Sequence, residues 1–155
     1  MEKSVFSKSF IPQKAFQELE RAEIIFGEQN LFPNETLEIL HSYFGESLTQ
    51  ATQLLEKARV TCYSTPDSFR KVYEISKSQD RHIIIGNVNF CQCDFFSSQV
   101  LDLQRSLSCE HVLAVTLARI MGKVREEKLS NNLFEEYLNM QLNVFLDIDT
   151  QDMLC

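Results

Sequence analysis

Tryptophan is absent from this chain of 155 residues, and glycine and proline are scarce, with 4 and 3 respectively. Because these two residues dominate turns and irregular segments, long structureless loops are not expected. The chain also lacks the uninterrupted apolar run of roughly 20 residues that crosses a bilayer, and residues 1–11 lack the compact apolar core of a signal peptide. We therefore expect an intracellular protein that does not insert into membranes.

Basic residues are in deficit: 15 Lys and Arg stand against 22 Asp and Glu, a net charge of −7. This balance disfavours a dedicated nucleic-acid-binding protein, because such binding uses Lys and Arg to neutralise phosphates. The charge is uneven, however, and segment 59–128 carries 10 basic and 8 acidic residues. The ordinary interpretation of Lys123, Arg125 and Lys128 is the solvated face of a helix. Any DNA contact would be weak and would arise in this segment, with Arg119, Lys123, Arg125 and Lys128 as the candidates.

Motifs of the common enzyme classes are missing as well. No glycine-rich phosphate loop with its Lys occurs, and no His-x-Glu precedes a Cys-x-x-Cys as it does in zinc deaminases. No Ser or Cys outside the cysteine cluster described below is placed beside a His and a carboxylate for nucleophilic catalysis. We therefore predict that the chain is not an enzyme.

Hydrophobic periodicity predicts an α+β protein. Apolar residues recur at spacings of three and four in segments 15–26, 37–44 and 48–58, which indicates N-terminal helices, the first ending at Gly27. Segments 60–63, 69–75 and 82–90 are rich in β-branched and aromatic residues, which predicts a three-stranded antiparallel meander. C-terminal helices are predicted from about His111 to Glu127 and from about Ser130.

The length is typical of one compact domain, in which we distinguish three regions. Residues 1–58 form an N-terminal helical region. Residues 59–128 contain the meander, a cysteine cluster and the helix that follows it. Residues 129–155 form a C-terminal helix and an acidic tail.

Three of the five cysteines and one of the three histidines lie between Cys91 and His111, as Cys-x-Cys, fifteen residues, then Cys-x-His. Four such ligands fill the tetrahedral shell of a structural zinc ion and leave no position for a catalytic water. Since residues two apart on a helix point in nearly opposite directions, Cys109 must precede the helix, with His111 in its first turn. We predict one structural zinc ion, bound by Cys91, Cys93, Cys109 and His111; metal-free buried thiols are the alternative.

Cys91-Gln92-Cys93 followed by Cys109-Glu110-His111 resembles the SWIM zinc finger, whose pattern is Cys-x-Cys, a variable gap, then Cys-x-His. Phe44-Gly45, Thr49-Gln50-Ala51 and Val72-Tyr73 extend the resemblance to the Shu-complex SWIM-domain subunit, the zinc finger SWIM domain-containing protein 7 family. That family usually has a basic or small residue within the second ligand pair. Glu110 stands there in this chain, which weakens the case for direct DNA contact by the finger.

The resemblance implies a nuclear, non-catalytic subunit that acts in homologous recombination and DNA repair. Such a protein would form a heterodimer with a RecA-like recombinase paralogue and promote assembly of the recombinase filament on single-stranded DNA. The residues leave two other functions open, namely an autonomous nucleic-acid-binding zinc module and an adaptor of a ubiquitin ligase. Candidates for an exposed partner-binding surface are Phe6, Phe10, Phe95, Phe96 and Phe145.

Overall fold

The computed structural model describes the backbone of residues 2–86 and 88–140, and the side chains of these ranges from residue 12 onward. The helices are α1 (Glu2–Gln29), α2 (Asn34–Phe44), α3 (Glu46–Leu55), a π-helix (Phe96–Asp102), α4 (Glu110–Ile120) and α5 (residues 131–140). The strands are β1 (Arg59–Ser64), β2 (Lys71–Lys77), β3 (Asp80–Ile85) and β4 (Arg125–Lys128). The predicted acidic tail lies outside the described residues.

The first helix is longer than its apolar periodicity indicated. α1 continues past Gly27, the predicted end, and stops at Gln29. Asn30 then adopts a φ of 57°, and its N–H donates to the Phe26 carbonyl at 2.7 Å. Asn is one of the few residues other than Gly that enter the left-handed region readily, and it satisfies a terminal carbonyl in this way. Asn30 therefore ends the helix, and the prediction of Gly27 was wrong.

The sheet contains the predicted meander and one additional strand. Its order is β3-β2-β1-β4, with antiparallel pairing of β1 with β2 and of β2 with β3, and parallel pairing of β1 with β4. The α+β class is confirmed. The prediction of a purely antiparallel, three-stranded sheet was wrong, because the sheet is mixed and has four strands.

The fourth strand exists because α4 ends earlier than predicted. The helix stops at Ile120 instead of Glu127, and Gly122 adopts a φ of 67°. The N–H of Lys123 donates to the Ala118 carbonyl at 2.8 Å and that of Gly122 to the Arg119 carbonyl at 3.2 Å, the two bonds of a Schellman motif. The chain therefore turns after Gly122, and residues 125–128 are free to pair with β1.

The main core lies between one face of the sheet and the helices α1 to α4. The sheet residues on this face are Val60, Cys62, Tyr73, Ile75 and Ile84, which are all buried. α4 contacts α1, α3, β2 and β3, and nearly all of its residues from Val112 to Ala118 are buried. A helix that is apolar all round requires such surroundings. The position of α4 at the centre of the core fixes where its N-terminus points.

α5 covers part of the opposite face of the sheet. The rings of Tyr63 and Tyr137 lie 4.9 Å apart, and the Tyr137 hydroxyl donates to Oε2 of Glu74 at 2.5 Å. Ser130 caps the helix, as its predicted start requires, by accepting the Leu133 N–H at 3.3 Å. Leu133 itself is exposed, and Phe134 is the buried residue of this turn.

None of the helices in the described ranges is both long and apolar enough to cross a lipid bilayer.

Candidate metal centre

Cys91 and Cys93 lie in the segment that joins β3 to the π-helix. Cys91 is buried, at 2% exposure, and Cys93 is half-buried. The chain folds back directly after them, so that the N–H of Phe96 donates to the sulfur of Cys93 at 3.4 Å. Phe96 itself is buried and begins the π-helix within the fifteen-residue gap between the two ligand pairs. The first half of this gap is therefore helical and anchored in the core by Phe96, whereas residues 101–105 are exposed.

Cys109 and His111 lie at the N-terminus of α4. Cys109 is extended, with φ −105° and ψ 169°, and immediately precedes the helix, whose first turn contains His111. This is the arrangement that the two-residue spacing predicted. The Cys109 carbonyl accepts the Leu113 N–H at 3.2 Å and so starts the helical hydrogen bonds. Both side chains can then point toward Cys91 and Cys93.

The structure brings the four predicted ligands together. One ligand atom from each of Cys91, Cys93, Cys109 and His111 lies within 4.8 Å of all the others. The sulfur of Cys91 is 3.7 Å from Nδ1 of His111. In a tetrahedral zinc site the bond lengths place neighbouring ligand atoms about 3.5 to 3.8 Å apart. The Cys91–His111 distance matches this spacing, and three sulfurs and one imidazole nitrogen within 4.8 Å of one another could hold a four-coordinate metal ion.

Without a bound ion, hydrogen bonds within the cluster favour the ligating thiolate form at Cys91. The thiols of Cys109 and Cys93 donate to Cys91 and hold the pKa of its thiol well below the ordinary value. The same pairing raises the pKa of Cys109. Burial by itself lowers the pKa of His111, but the adjacent sulfurs of Cys91 and Cys93 outweigh burial and raise this pKa to about 9. Negative charge thus concentrates on the sulfur of Cys91, and a cation bound there would displace the protons that Cys109 and His111 retain.

A buried polar link joins the two sides of the cluster. Nδ2 of Asn89 donates to the Leu107 carbonyl at 2.9 Å, and the Ser108 hydroxyl donates to Oδ1 of Asn89 at 2.8 Å. Ser108 directly precedes the N-cap residue of α4, but its hydroxyl makes this contact and not a cap of the helix. Asn89 thereby holds the chain before Cys91 against the chain before Cys109.

Two neighbours of His111 were not recognised in the sequence. His82, which opened a predicted strand and was expected at the surface, stacks on His111 with ring centroids 3.7 Å apart. Oε1 of Glu110 lies 3.9 Å from Nε2 of His111. Side chains alternate between the two faces of a strand, and His82 is two residues from the buried Ile84 on β3. This alternation could have identified His82 as a residue that faces the core.

The candidate DNA contacts do not form a row along one helix. Arg119 lies on α4 with its guanidinium 5.1 Å from the Tyr73 ring, and Lys123 follows the end of that helix. Arg125 and Lys128 belong to β4, where Arg125 pairs with Glu127 at 3.1 Å. Nζ of Lys128 donates to the Pro66 carbonyl at 3.3 Å. The predicted solvated helix face is therefore absent from this segment, and DNA contact remains a prediction.

No protein-family model matches the chain, and no solved structure does so either. Curated relatives do match. Zinc finger SWIM domain-containing protein 7 of Danio rerio is 30% identical over 132 residues, which cover 84% of this chain and 91% of the relative. The protein of the same name from Homo sapiens is 31% identical over 115 residues, covering 74% and 81%. A homolog from Dictyostelium discoideum is 24% identical over 123 residues, covering 77% and 79%.

These matches extend well beyond the cysteine cluster into the helices and strands on both sides of it. They confirm the resemblance that the two ligand pairs indicated. The chain belongs to the zinc finger SWIM domain-containing protein 7 family.

Proposed function

We propose that this chain is a zinc-stabilised, non-catalytic subunit of a Shu-type complex in homologous recombination and DNA repair. In this proposal it acts in the nucleus, pairs with a RecA-like recombinase paralogue, and promotes assembly of the recombinase filament on single-stranded DNA. The observation that carries the proposal is the closed group of Cys91, Cys93, Cys109 and His111, within a chain that belongs to a SWIM zinc finger family.

The donor set supports zinc as the ion. Magnesium and calcium prefer oxygen ligands, whereas thiolates and imidazole suit zinc. The relatives are zinc finger proteins by name. A full set of four protein ligands would hold a single ion and leave no position for water, which favours a structural over a catalytic role.

The turn between β1 and β2 offers a partner-binding surface. Phe69 is 89% exposed there, the most exposed of the large apolar side chains in the described residues. The turn is well braced, since Asp67 accepts both the Thr65 hydroxyl and the Phe69 N–H. Rigidly presented aromatic residues are common anchors in protein interfaces. Of the earlier candidates, Phe96 is buried and Phe95 is 38% exposed, while the side chains of Phe6, Phe10 and Phe145 lie outside the described residues.

Purification of the tagged chain from its own cells tests the proposal. We expect a RecA-like recombinase paralogue to copurify in a one-to-one ratio and elemental analysis of the complex to find about one zinc per chain. The Phe69→Ala variant should weaken recovery of the partner while keeping its zinc. Ile24→Ala removes another exposed apolar side chain, which is 64% exposed on α1, and serves as the matched control. Recovery of ubiquitin-ligase subunits without a recombinase paralogue would contradict the proposal.

The isolated chain provides a second test, directed at autonomous nucleic-acid binding. Its basic candidates are spread over α4, β4 and the turn between them, and Arg119, Arg125 and Lys128 contact groups of the same chain. We expect no binding of single-stranded DNA by the isolated chain in fluorescence anisotropy, even at low salt. Tight binding that weakens steeply as salt rises would instead favour an autonomous nucleic-acid-binding module.

A further inference from the structure

His82 reaches the metal centre although it is remote from the ligands in sequence and lies on a different element. On β3 it is the register partner of Ile75, which in turn pairs with Val60, and both are buried. This register directs the His82 side chain toward the same side of the sheet as the cluster. Its ring stacks on His111 at 3.7 Å with an interplanar angle of 24°, and its Nδ1 lies 4.0 Å from the sulfur of Cys91.

His82 is placed to support the site and not to complete it. The group whose ligand atoms all lie within 4.8 Å of one another contains four residues and does not include His82. An N–H directed at a thiolate reduces the charge that the sulfur must carry, and a ring stacked on a ligating imidazole restricts its rotation. The position of His82 allows it to do both.

Glu110 lies near the second ring nitrogen of His111. Nδ1 of His111 faces Cys91 at 3.7 Å, whereas its Nε2 lies 3.9 Å from Oε1 of Glu110. A small side-chain rotation would convert this approach into a hydrogen bond. A ligating histidine usually donates its second ring N–H to a carboxylate or carbonyl, which fixes its tautomer and orientation. Glu110 is a carboxylate of this kind.

We propose that His82 and Glu110 are positioning residues of the metal centre. In this arrangement His82 donates from Nδ1 to the Cys91 thiolate and packs on the His111 ring, and Glu110 accepts the N–H of Nε2 of His111. This inference rests on the proposed zinc site and extends it to two residues outside the four-ligand set. It also gives a role to the acidic residue between Cys109 and His111.

Two pairs of variants separate the contributions of these side chains. His82→Asn keeps an N–H donor near the sulfur but removes the ring, whereas His82→Phe keeps a stacking ring but removes the donor. Glu110→Gln keeps an acceptor oxygen, and Glu110→Ala removes it. His41→Phe, at an exposed histidine of α2, is the matched control.

Zinc affinity of the full chain is measured by competition with a chelating zinc indicator. We expect His82→Phe and Glu110→Ala to weaken zinc binding by about 10- to 100-fold. Glu110→Gln should restore most of the loss, and His41→Phe should have no effect. In protein loaded with Co²⁺, His82→Phe should shift the sulfur-to-cobalt charge-transfer band, whereas His82→Asn should leave it near its original position.

Two results would overturn the inference. One is zinc affinity that is unchanged in both His82→Phe and Glu110→Ala. The other is an affinity loss that leaves the cobalt spectrum of His82→Phe unchanged and is not restored by Glu110→Gln, since that pattern indicates only a general loss of packing. A parent protein that binds no zinc would instead refute the proposed metal centre itself, so the two failures are distinguishable.

Discussion

Glu74 is a carboxylate on the central strand β2 that is only 7% exposed. Burying a charged group is costly unless hydrogen bonds replace its water, and the Tyr137 hydroxyl supplies one at 2.5 Å. Burial, followed by this contact with a carboxylate, raises the pKa of Tyr137 above its ordinary value, so the phenol keeps the proton it donates. This single contact joins α5 to the sheet across 63 residues of sequence.

Replacing Tyr137 with Phe should therefore destabilise the protein through Glu74. Because the buried carboxylate loses a donor, we expect the free energy of unfolding to fall by about 1–3 kcal/mol in urea denaturation. The Glu74→Gln/Tyr137→Phe double variant should lose less than the sum of the two single variants, since both changes act on one interaction. A strictly additive double variant would contradict the coupling.

At the metal centre, we expect the Cys109→Ser variant to lose its zinc. A hydroxyl is a poor replacement for a thiolate at a zinc site, so elemental analysis should find the zinc content of the purified protein close to zero. Cys62→Ala is the matched control, because Cys62 is an equally buried free thiol on β1 that lies outside the four-ligand group. That variant should keep about one zinc per chain. A Cys109→Ser protein with full zinc content would exclude Cys109 as a ligand.

At the scale of elements, the end of α4 decides the shape of the sheet. Gly122 has a φ of 67°, a conformation that residues with a Cβ adopt at a cost, and the turn it forms releases the chain into β4. A helix continuing to Glu127 would have removed these residues from the sheet. The lengths of α4 and β4 are therefore two consequences of one backbone conformation.

Two glycine-to-alanine variants isolate this effect. A Cβ at either Gly27 or Gly122 would meet nothing within 4 Å, so any difference arises from the backbone. Gly27 is inside α1, where Ala should stabilise the protein by roughly 0.5–1 kcal/mol. Gly122→Ala should destabilise it by about 1 kcal/mol or more, because Ala is strained at positive φ. Equal changes in the thermal midpoint of the two variants would argue against a required left-handed Gly122.

At the scale of the whole molecule, the metal centre links the end of the sheet to the central helix. Cys91 and Cys93 follow β3, while Cys109 and His111 begin α4, which contacts α1, α3 and the sheet. An ion bound by all four residues would close the segment from Asp94 to Ser108 and hold α4 in register with β3. The stability of most of the core would then depend on that ion.

Removal of the metal should consequently unfold more than the segment from Cys91 to His111. Structural zinc sites contribute about 10–16 kcal/mol of apparent binding free energy, which is comparable to the whole stability of a typical domain. We expect a strong zinc chelator to abolish the amide-exchange protection of β3 and α4, measured by hydrogen–deuterium exchange. The same chelator saturated with zinc is the control. Protection that survives complete zinc removal would show that the fold does not depend on the ion.

Short-range patterns in the sequence determined most of the helices, the meander and the four candidate ligands. Spacings of three and four place apolar residues on one side of a helix, and these signals need no information from elsewhere in the chain. The two ligand pairs are equally local, because residues two apart inside a helix point in nearly opposite directions, so Cys109 has to precede α4 for its side chain to meet that of His111. The ligand set and the resemblance to SWIM proteins could therefore be predicted from the residues themselves.

Only the tertiary structure decided which distant residues meet. β4 is a short segment of four charged residues, and its parallel pairing with β1 depends on where α4 ends and on the position of the sheet. The stacking of His82 on His111 and the contact of Tyr137 with Glu74 likewise join separate elements. Such contacts depend on strand register and helix packing, which are set by the whole core, so no local pattern of residues specifies them.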